Sequence, residues 1–275
     1  MGIDIDKTRK KQSAEEQDKK NVGKFNSLAG SLSKSSLPNI NVVERYALSR
    51  IIGQDEQVRK FITAIYKQKL FPSLRSVLLL IGNSGTGKTE TIKQVLSKLK
   101  MPYTIEDATR FTKEGYQGSS VEEIIFNLIS AANGDIEAAQ NGVIVIDEID
   151  KKSGNDNSDV GGNAVLKSLL KMVDGEKMKI HIQDEFEDFI LEFDTSKVIF
   201  IFAGAFSGMD KIIEKRNDRK IGFDMLMNES MADKTITKSD LVKYGLTEEF
   251  TGRITTVVQM NALTEQNLYD ILKTS

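Results

Sequence analysis

The sequence contains no cysteine and a single histidine, His181. Disulfides and thiolate-ligated zinc are therefore excluded, and a histidine-rich metal site has no material to draw on. Long apolar runs are missing as well. The most extended, at residues 77–81 and 198–206, fall far short of the roughly 20 residues that cross a bilayer. The N-terminus mixes acidic and basic residues where a signal peptide would be apolar. Neither sign of charge is in excess: 38 Lys and Arg stand against 40 Asp and Glu, a net charge of −2, so nothing pulls the chain towards nucleic acid as a bulk polyanion. A soluble, cytoplasmic protein with no membrane partner is expected. Its 275 residues, 39% hydrophobic and 28% charged, suffice for one large α/β domain or one and a half ordinary domains.

Against these absences stands one dense motif. Gly82-Asn83-Ser84-Gly85-Thr86-Gly87-Lys88-Thr89 matches a phosphate-binding loop at every required position. Its glycines let backbone N–H groups curl around phosphate oxygens, a nest that side chains would block. Lys88 adds a point charge and Thr89 a hydroxyl for Mg2+. Residues 75–81 read as a buried strand entering the loop, and residues 89–100 as an amphipathic helix leaving it. That order argues against an ordinary glycine turn. Farther on, Val143-Ile144-Val145-Ile146 leads into Asp147 and Glu148. An acidic, solvated turn is the bland alternative for this pair. A strand delivering both carboxylates to the sheet edge makes Asp147 a Mg2+ holder and Glu148 a group that polarises water.

The first 37 residues alternate Lys, Gln, Ser, Glu and Asp and cannot bury enough surface to fold, so a flexible charged tail is expected. A helix follows Ile51-Ile52-Gly53-Gln54. Further strands are expected at 103–106, 143–146, 198–202 and 255–258, with helices at 121–132 and 163–173. Short aliphatic runs alternating with helices predict a mostly parallel sheet, helix-covered on both faces. Residues 154–162 and 215–238 read as long loops. There is no internal repeat.

From Ala47 onward the chain resembles the AAA+ ATPases of the ClpX/HslU clade, nearest to the ClpX module. Four blocks carry the likeness: residues 108–125 (ATRFTKEGYQGSSVEEII), 143–151 (VIVIDEIDK), 198–206 (VIFIFAGAF) and 240–254 (DLVKYGLTEEFTGRI). The resemblance implies an α/β P-loop NTPase with a five-stranded, mostly parallel sheet sandwiched by helices. It divides the chain into a tail at 1–40, a nucleotide-binding domain at 41–260 and the start of a helical lid at 261–275.

The implied activity is ATP hydrolysis with Mg2+ that unfolds or remodels protein substrates. The working form would be a homo-oligomeric ring, expected to be a hexamer, with a ClpP-like peptidase as partner. Residues 82–89 and Glu90 would hold the nucleotide, Ile51 and Ile52 would flank adenine, and Thr89 and Asp147 would hold Mg2+. Lys88, Glu148 and Arg253 would be catalytic, Arg253 as a finger reaching a neighbour's ATP. Tyr116, in Gly115-Tyr116-Gln117-Gly118, would grip translocating polypeptide. Ile221-Gly222-Phe223 would dock on the peptidase.

The likeness has limits. Without cysteine there is no zinc domain like that of ClpX. Residues 263–275 match only the opening helix of the lid, whose sensor arginine has no counterpart. Gln117 stands where the pore loop usually has an aliphatic residue. Residues 176–188 are mainly acidic where a basic loop would gather substrate. The chain is then either a short natural AAA+ protein or a fragment. Two other functions remain open: a nucleotide-dependent loader on nucleic-acid machinery, and a non-hydrolysing binding module.

Overall fold

Aliphatic runs too short for helices need partners on both edges, and the computed structural model pairs them in one parallel sheet. It describes residues 37–111, 121–154, 160–183, 188–221 and 234–274. β1 (Val77–Ile81) and β6 (Ile199–Gly204) are buried along their whole length, and β3 (Val143–Asp147) is buried as far as Ile146. β2 (Tyr103–Asp107) alternates buried with half-buried positions at one edge, and β7 (Thr256–Gln259) closes the other. The order is β2-β3-β6-β1-β7, with every neighbouring pair parallel. Strands buried on both faces have no polar side to alternate with, which is why they read as continuous apolar runs.

Helices supply the cover. α1 (Ile40–Leu48) packs on α2 (Asp55–Leu70), which precedes β1, and on α3 (Lys88–Leu99), which follows it. α2 turns Val58, Phe61, Ile62 and Ile65 inward, the spacing of one helical face. α4 (Val121–Ala131) and α5 (Ile136–Gln140) join β2 to β3, and α6 (Val160–Val173) follows β3. α7 (Met209–Ile221), α8 (Lys238–Tyr244) and α9 (Glu248–Arg253) lie between β6 and β7, and α10 (Glu265–Thr274) comes last.

Val77, Leu79, Ile81, Ile144, Ile146, Phe200 and Phe202 share a core cluster with Ile124 and Leu128 of α4 and Leu166 and Leu169 of α6. Leu78, Leu80, Val145 and Ile201 alternate with these strand residues and are equally buried, so the opposite face is covered too. From Asn39 onward the chain forms one compact unit. No helix among the described residues is long and apolar enough to cross a membrane.

Two local expectations are corrected, and one element is added. Residues 215–221 are not loop: α7 continues through them to Ile221, seated by buried Met209 and Ile213 in its earlier turns and by Arg216, whose Nη1 donates to Thr235 O (3.1 Å) and to the Asp240 carboxylate. Gly161 and Gly162 belong to the first turn of α6, where a glycine costs only about 1 kcal/mol against the packing of the turns that follow. The acidic stretch at 176–188 contributes to an antiparallel hairpin, β4 (Lys177–Gln183) with β5 (Asp188–Asp194), in which Ile180 pairs with Leu191. Met178, Ile180 and Ile182 alternate with polar residues at a strand's period, a signal that the local charge obscured.

Candidate functional site

In parallel sheets ligands bind beyond the carboxyl ends of the strands. The loop at 82–89 begins there, one residue past β1. Gly82 N donates to Gly204 O at the end of β6 (3.2 Å). A Cβ on Gly82 would sit 2.7 Å from Met260 Cβ and 2.9 Å from Thr86 Oγ1, so the strand exit admits only glycine. Gly85 and Gly87 take φ of 81° and 87°, the left-handed region that a side chain disfavours. Gly87 is the N-cap of α3 and makes no side-chain cap bond, so the N–H groups of the first turn point into the loop, with the positive end of the helix behind them.

Lys88 Nζ donates to the loop carbonyls of Gly82 (2.5 Å) and Asn83 (3.0 Å). Partial burial lowers its pKa from the ordinary lysine value, while the carboxylates of Asp147, Asp150 and Glu148 oppose that shift. The ammonium therefore sits between the loop and the acidic strand end.

That strand end is tied directly to the loop. Asp147, the last residue of β3, accepts from Thr89 Oγ1 through Oδ2 (3.2 Å) and from Glu148 N through Oδ1 (2.9 Å). Glu148 is exposed and adopts φ 56°, ψ 32°, a left-handed conformation of a kind that costs about 1–3 kcal/mol and recurs at functional sites. It turns the chain into a 3₁₀ turn, Ile149–Lys152, which buries Asp150. The Asp150 carboxylate accepts from the N–H groups of Ala205 and Phe206, each at 3.3 Å, and so joins the ends of β3 and β6. Gly204 permits this approach, since a Cβ there would collide with Asp150 Oδ1. Ser84, Lys88, Thr89, Glu90, Asp147 and Glu148 line a single cleft of about 810 Å³.

The cleft suits a nucleoside triphosphate with a divalent cation. It has a glycine cradle, a lysine, and a hydroxyl bonded to one carboxylate. Mg2+ is commonly held by one or two carboxylates plus the phosphates themselves. Among the described residues no group of three or more His, Cys, Asp or Glu is arranged to hold a metal without them.

Comparison with known proteins agrees with this geometry. The family described as AAA domain (Cdc48 subfamily) matches residues 74–257, from the approach to β1 into β7. The chain belongs to the AAA family. The AAA chain is also similar to three proteins named ATP-dependent Clp protease ATP-binding subunit ClpX. It is 36% identical to that of Treponema denticola over 86% of this chain and 63% of the relative. Identity to ClpX 2 of Wolinella succinogenes is 34%, over 87% and 64%, and to ClpX of Borrelia duttonii 34%, over 86% and 61%. These matches bear out the likeness to the ClpX clade. The AAA chain spans less than two thirds of the length of these relatives.

The other expected site residues are spread more widely. Ile51 is buried just past α1, its N–H donating to Ala47 O at 2.9 Å, and Ile52 is half-buried; neither lines the 810 Å³ cleft. Arg253 ends α9 and is also absent from the cleft; it makes a two-pronged ion pair with Asp174, Nε to Oδ1 at 2.5 Å and Nη2 to Oδ2 at 3.1 Å. Ile221 is the last residue of α7. Tyr116, Gly222 and Phe223 lie outside the described residues.

Sequence reasoning overlooked Gln54. The residue is fully buried at the N-cap of α2, where its side chain makes no cap bond. Its amide nitrogen donates to Thr86 O (3.1 Å) and Asn261 O (2.9 Å), while its Oε1 accepts from Asn261 N (2.9 Å). One side chain thus links the phosphate loop to the segment between β7 and α10. The only hint in the sequence was a glutamine in a capping position that favours shorter side chains. Gln54→Leu should destabilise the fold by about 1–3 kcal/mol through the carbonyls it strands, read as a lower urea midpoint at unchanged slope.

Proposed function

We propose that this chain binds ATP with Mg2+ in the cradle at 82–89 and hydrolyses it. The observation that carries the reading is the Thr89 Oγ1 to Asp147 Oδ2 hydrogen bond, which unites the two motifs over one cleft. Backbone N–H groups of the loop and Lys88 would bind the phosphates, and Thr89 and Asp147 would hold the cation, which supplies charge neutralisation as the γ-phosphoryl group departs. Glu148 is exposed beside them and would orient the attacking water and accept its proton as the new P–O bond forms and the bond to ADP breaks. Glu90 lies on the same cleft wall. Ile51 and Ile52 would flank adenine, a role supported by the bond from neighbouring Gln54 to the loop.

The rest of the reading follows from the likeness to the ClpX clade. On it the chain would unfold or remodel protein substrates in the cytoplasm, as part of a ring of identical copies with a ClpP-like peptidase, in keeping with relatives named as ATP-binding subunits of an ATP-dependent protease. Arg253 would complete the neighbouring copy's site, Tyr116 would grip substrate and Ile221-Gly222-Phe223 would dock on the peptidase. The domain limits proposed from sequence, 1–40, 41–260 and 261–275, accompany that reading. Acidic and basic residues in near balance do not favour a nucleic-acid loader.

Three outcomes test it. Lys88→Ala should remove measurable ATP binding in titration calorimetry, and unchanged affinity would overturn the site. Specific ATPase activity of the intact chain should rise with protein concentration and collapse in Arg253→Ala. A concentration-independent rate would leave no role for a finger in trans. Deleting residues 221–223 should abolish co-sedimentation with a ClpP-like peptidase while sparing ATP hydrolysis, and an intact chain that never co-sediments ends the protease-partner reading.

A further inference from the structure

An exposed ion pair between flexible side chains ordinarily fixes neither partner. The pair between Arg253 and Asp174 is built differently, because each residue stands on backbone that is independently held. Asp174 follows α6, and its N–H donates to Leu170 O (2.8 Å), while Gly175 N donates to Met172 O (3.0 Å). Gly175 takes φ 74° with no Cβ, and the Arg75 guanidinium occupies the room a side chain would need. From there Arg75 Nη1 donates to the carbonyls of Val173 (3.4 Å) and Asp174. Thr195 Oγ1 donates to Met172 O at 2.8 Å from the far side of the hairpin.

Arg253 is equally anchored. Thr247 caps α9 by accepting from Phe250 N (3.3 Å), and buried Phe250 meets Phe202 edge-on with ring centres 4.7 Å apart. Lys238 Nζ donates to Gly252 O (3.1 Å), and two residues past Arg253, Thr255 N donates to Val77 O (2.9 Å). The two mounts set the carboxylate and the guanidinium face to face.

Asp174 engages only one edge of the guanidinium, Nε and Nη2. A guanidinium carries five N–H groups in a rigid plane, so those on Nη1 lie on the edge turned away from the carboxylate. The Arg253 side chain is 48% exposed, and among the described residues no hydrogen bond engages Nη1. We propose that Asp174 is a positioning residue: it grips Arg253 by its Nε–Nη2 edge and presents the Nη1 edge to the triphosphate held by a neighbouring copy. This rests on the reading of Arg253 as a finger in trans. The physical gain is pre-organisation. A long, rotamer-rich side chain is oriented before the neighbour's phosphate arrives, and its charge acts where negative charge develops. Asp174 could instead sequester Arg253 and withhold it, and the sign of the effect on rate separates the two.

The test measures ATPase activity of the full chain over a series of protein concentrations for the unaltered protein, Asp174→Ala, Asp174→Glu and Arg253→Ala. Melting temperature and affinity for a fluorescent ATP analogue are read in parallel. Positioning predicts that Asp174→Ala lowers kcat by roughly tenfold or more, with KM, analogue affinity and melting temperature little changed. Asp174→Glu, which keeps the two-pronged acceptor, should recover most of the rate. Asp174→Ala that is as fast as or faster than the unaltered protein, with Arg253→Ala inactive, overturns the positioning role and leaves the finger standing. A loss that Asp174→Glu does not restore and that accompanies a lower melting temperature also overturns it, as a structural effect. Full activity of Arg253→Ala at every concentration removes the finger, and this inference with it.

Discussion

The parallel register of β1, β6 and β3 is the constraint on which the site depends. Ile81 pairs with Gly204, and Ile146 pairs with Phe202, so the carboxyl ends of these strands finish close to one level. Gly82 is the next residue past the paired positions of β1, and Asp147 is the next past the positions at which β3 pairs with β6. A slip of one residue would reverse the face of every side chain in the slipped strand and separate Thr89 from Asp147. Both faces of these strands are apolar, so the register is set by the fit of particular groups rather than by a polar side, with Gly82 against Met260 and Gly204 against Asp150.

Around that level, small residues are placed where backbone must approach something else. Gly82 clears Met260 and Thr86, and Gly204 clears the carboxylate of Asp150. Asp150 then clasps the end of β6 from the turn that follows β3. Lys88 sits among Asp147, Glu148 and Asp150, partly withdrawn from water, in a setting that suits an incoming polyanion. The same strand ends therefore supply shape, positive charge and negative charge within one cleft.

The strands and the loop were legible because the signals involved are local. Continuous apolar runs mark doubly buried strands, and the spacing of glycines with Lys88 and Thr89 is set by the backbone nest itself. Where the expectation failed, the decisive contacts were distant or the composition misleading. Residues 215–221 look polar because buried Met209 and Ile213 lie in the earlier turns of α7. The hairpin at β4 and β5 was hidden by its acidic middle, although Met178, Ile180 and Ile182 carry a strand's alternation. Gln54 gave almost no warning, because its partners, Thr86 and Asn261, lie 32 and 207 residues away.

By itself the sequence determined the α/β class, the phosphate loop, the acidic strand end and the likeness to the ClpX clade. Each of these is written in short-range patterns of size, polarity and backbone freedom. Tertiary structure alone decided that Thr89 meets Asp147, that Gln54 links the loop to the segment before α10, and that Arg253 is held by Asp174. Those pairings join segments separated by 58, 207 and 79 residues, and only the strand order and the packing of helices on the sheet bring them within hydrogen-bond reach.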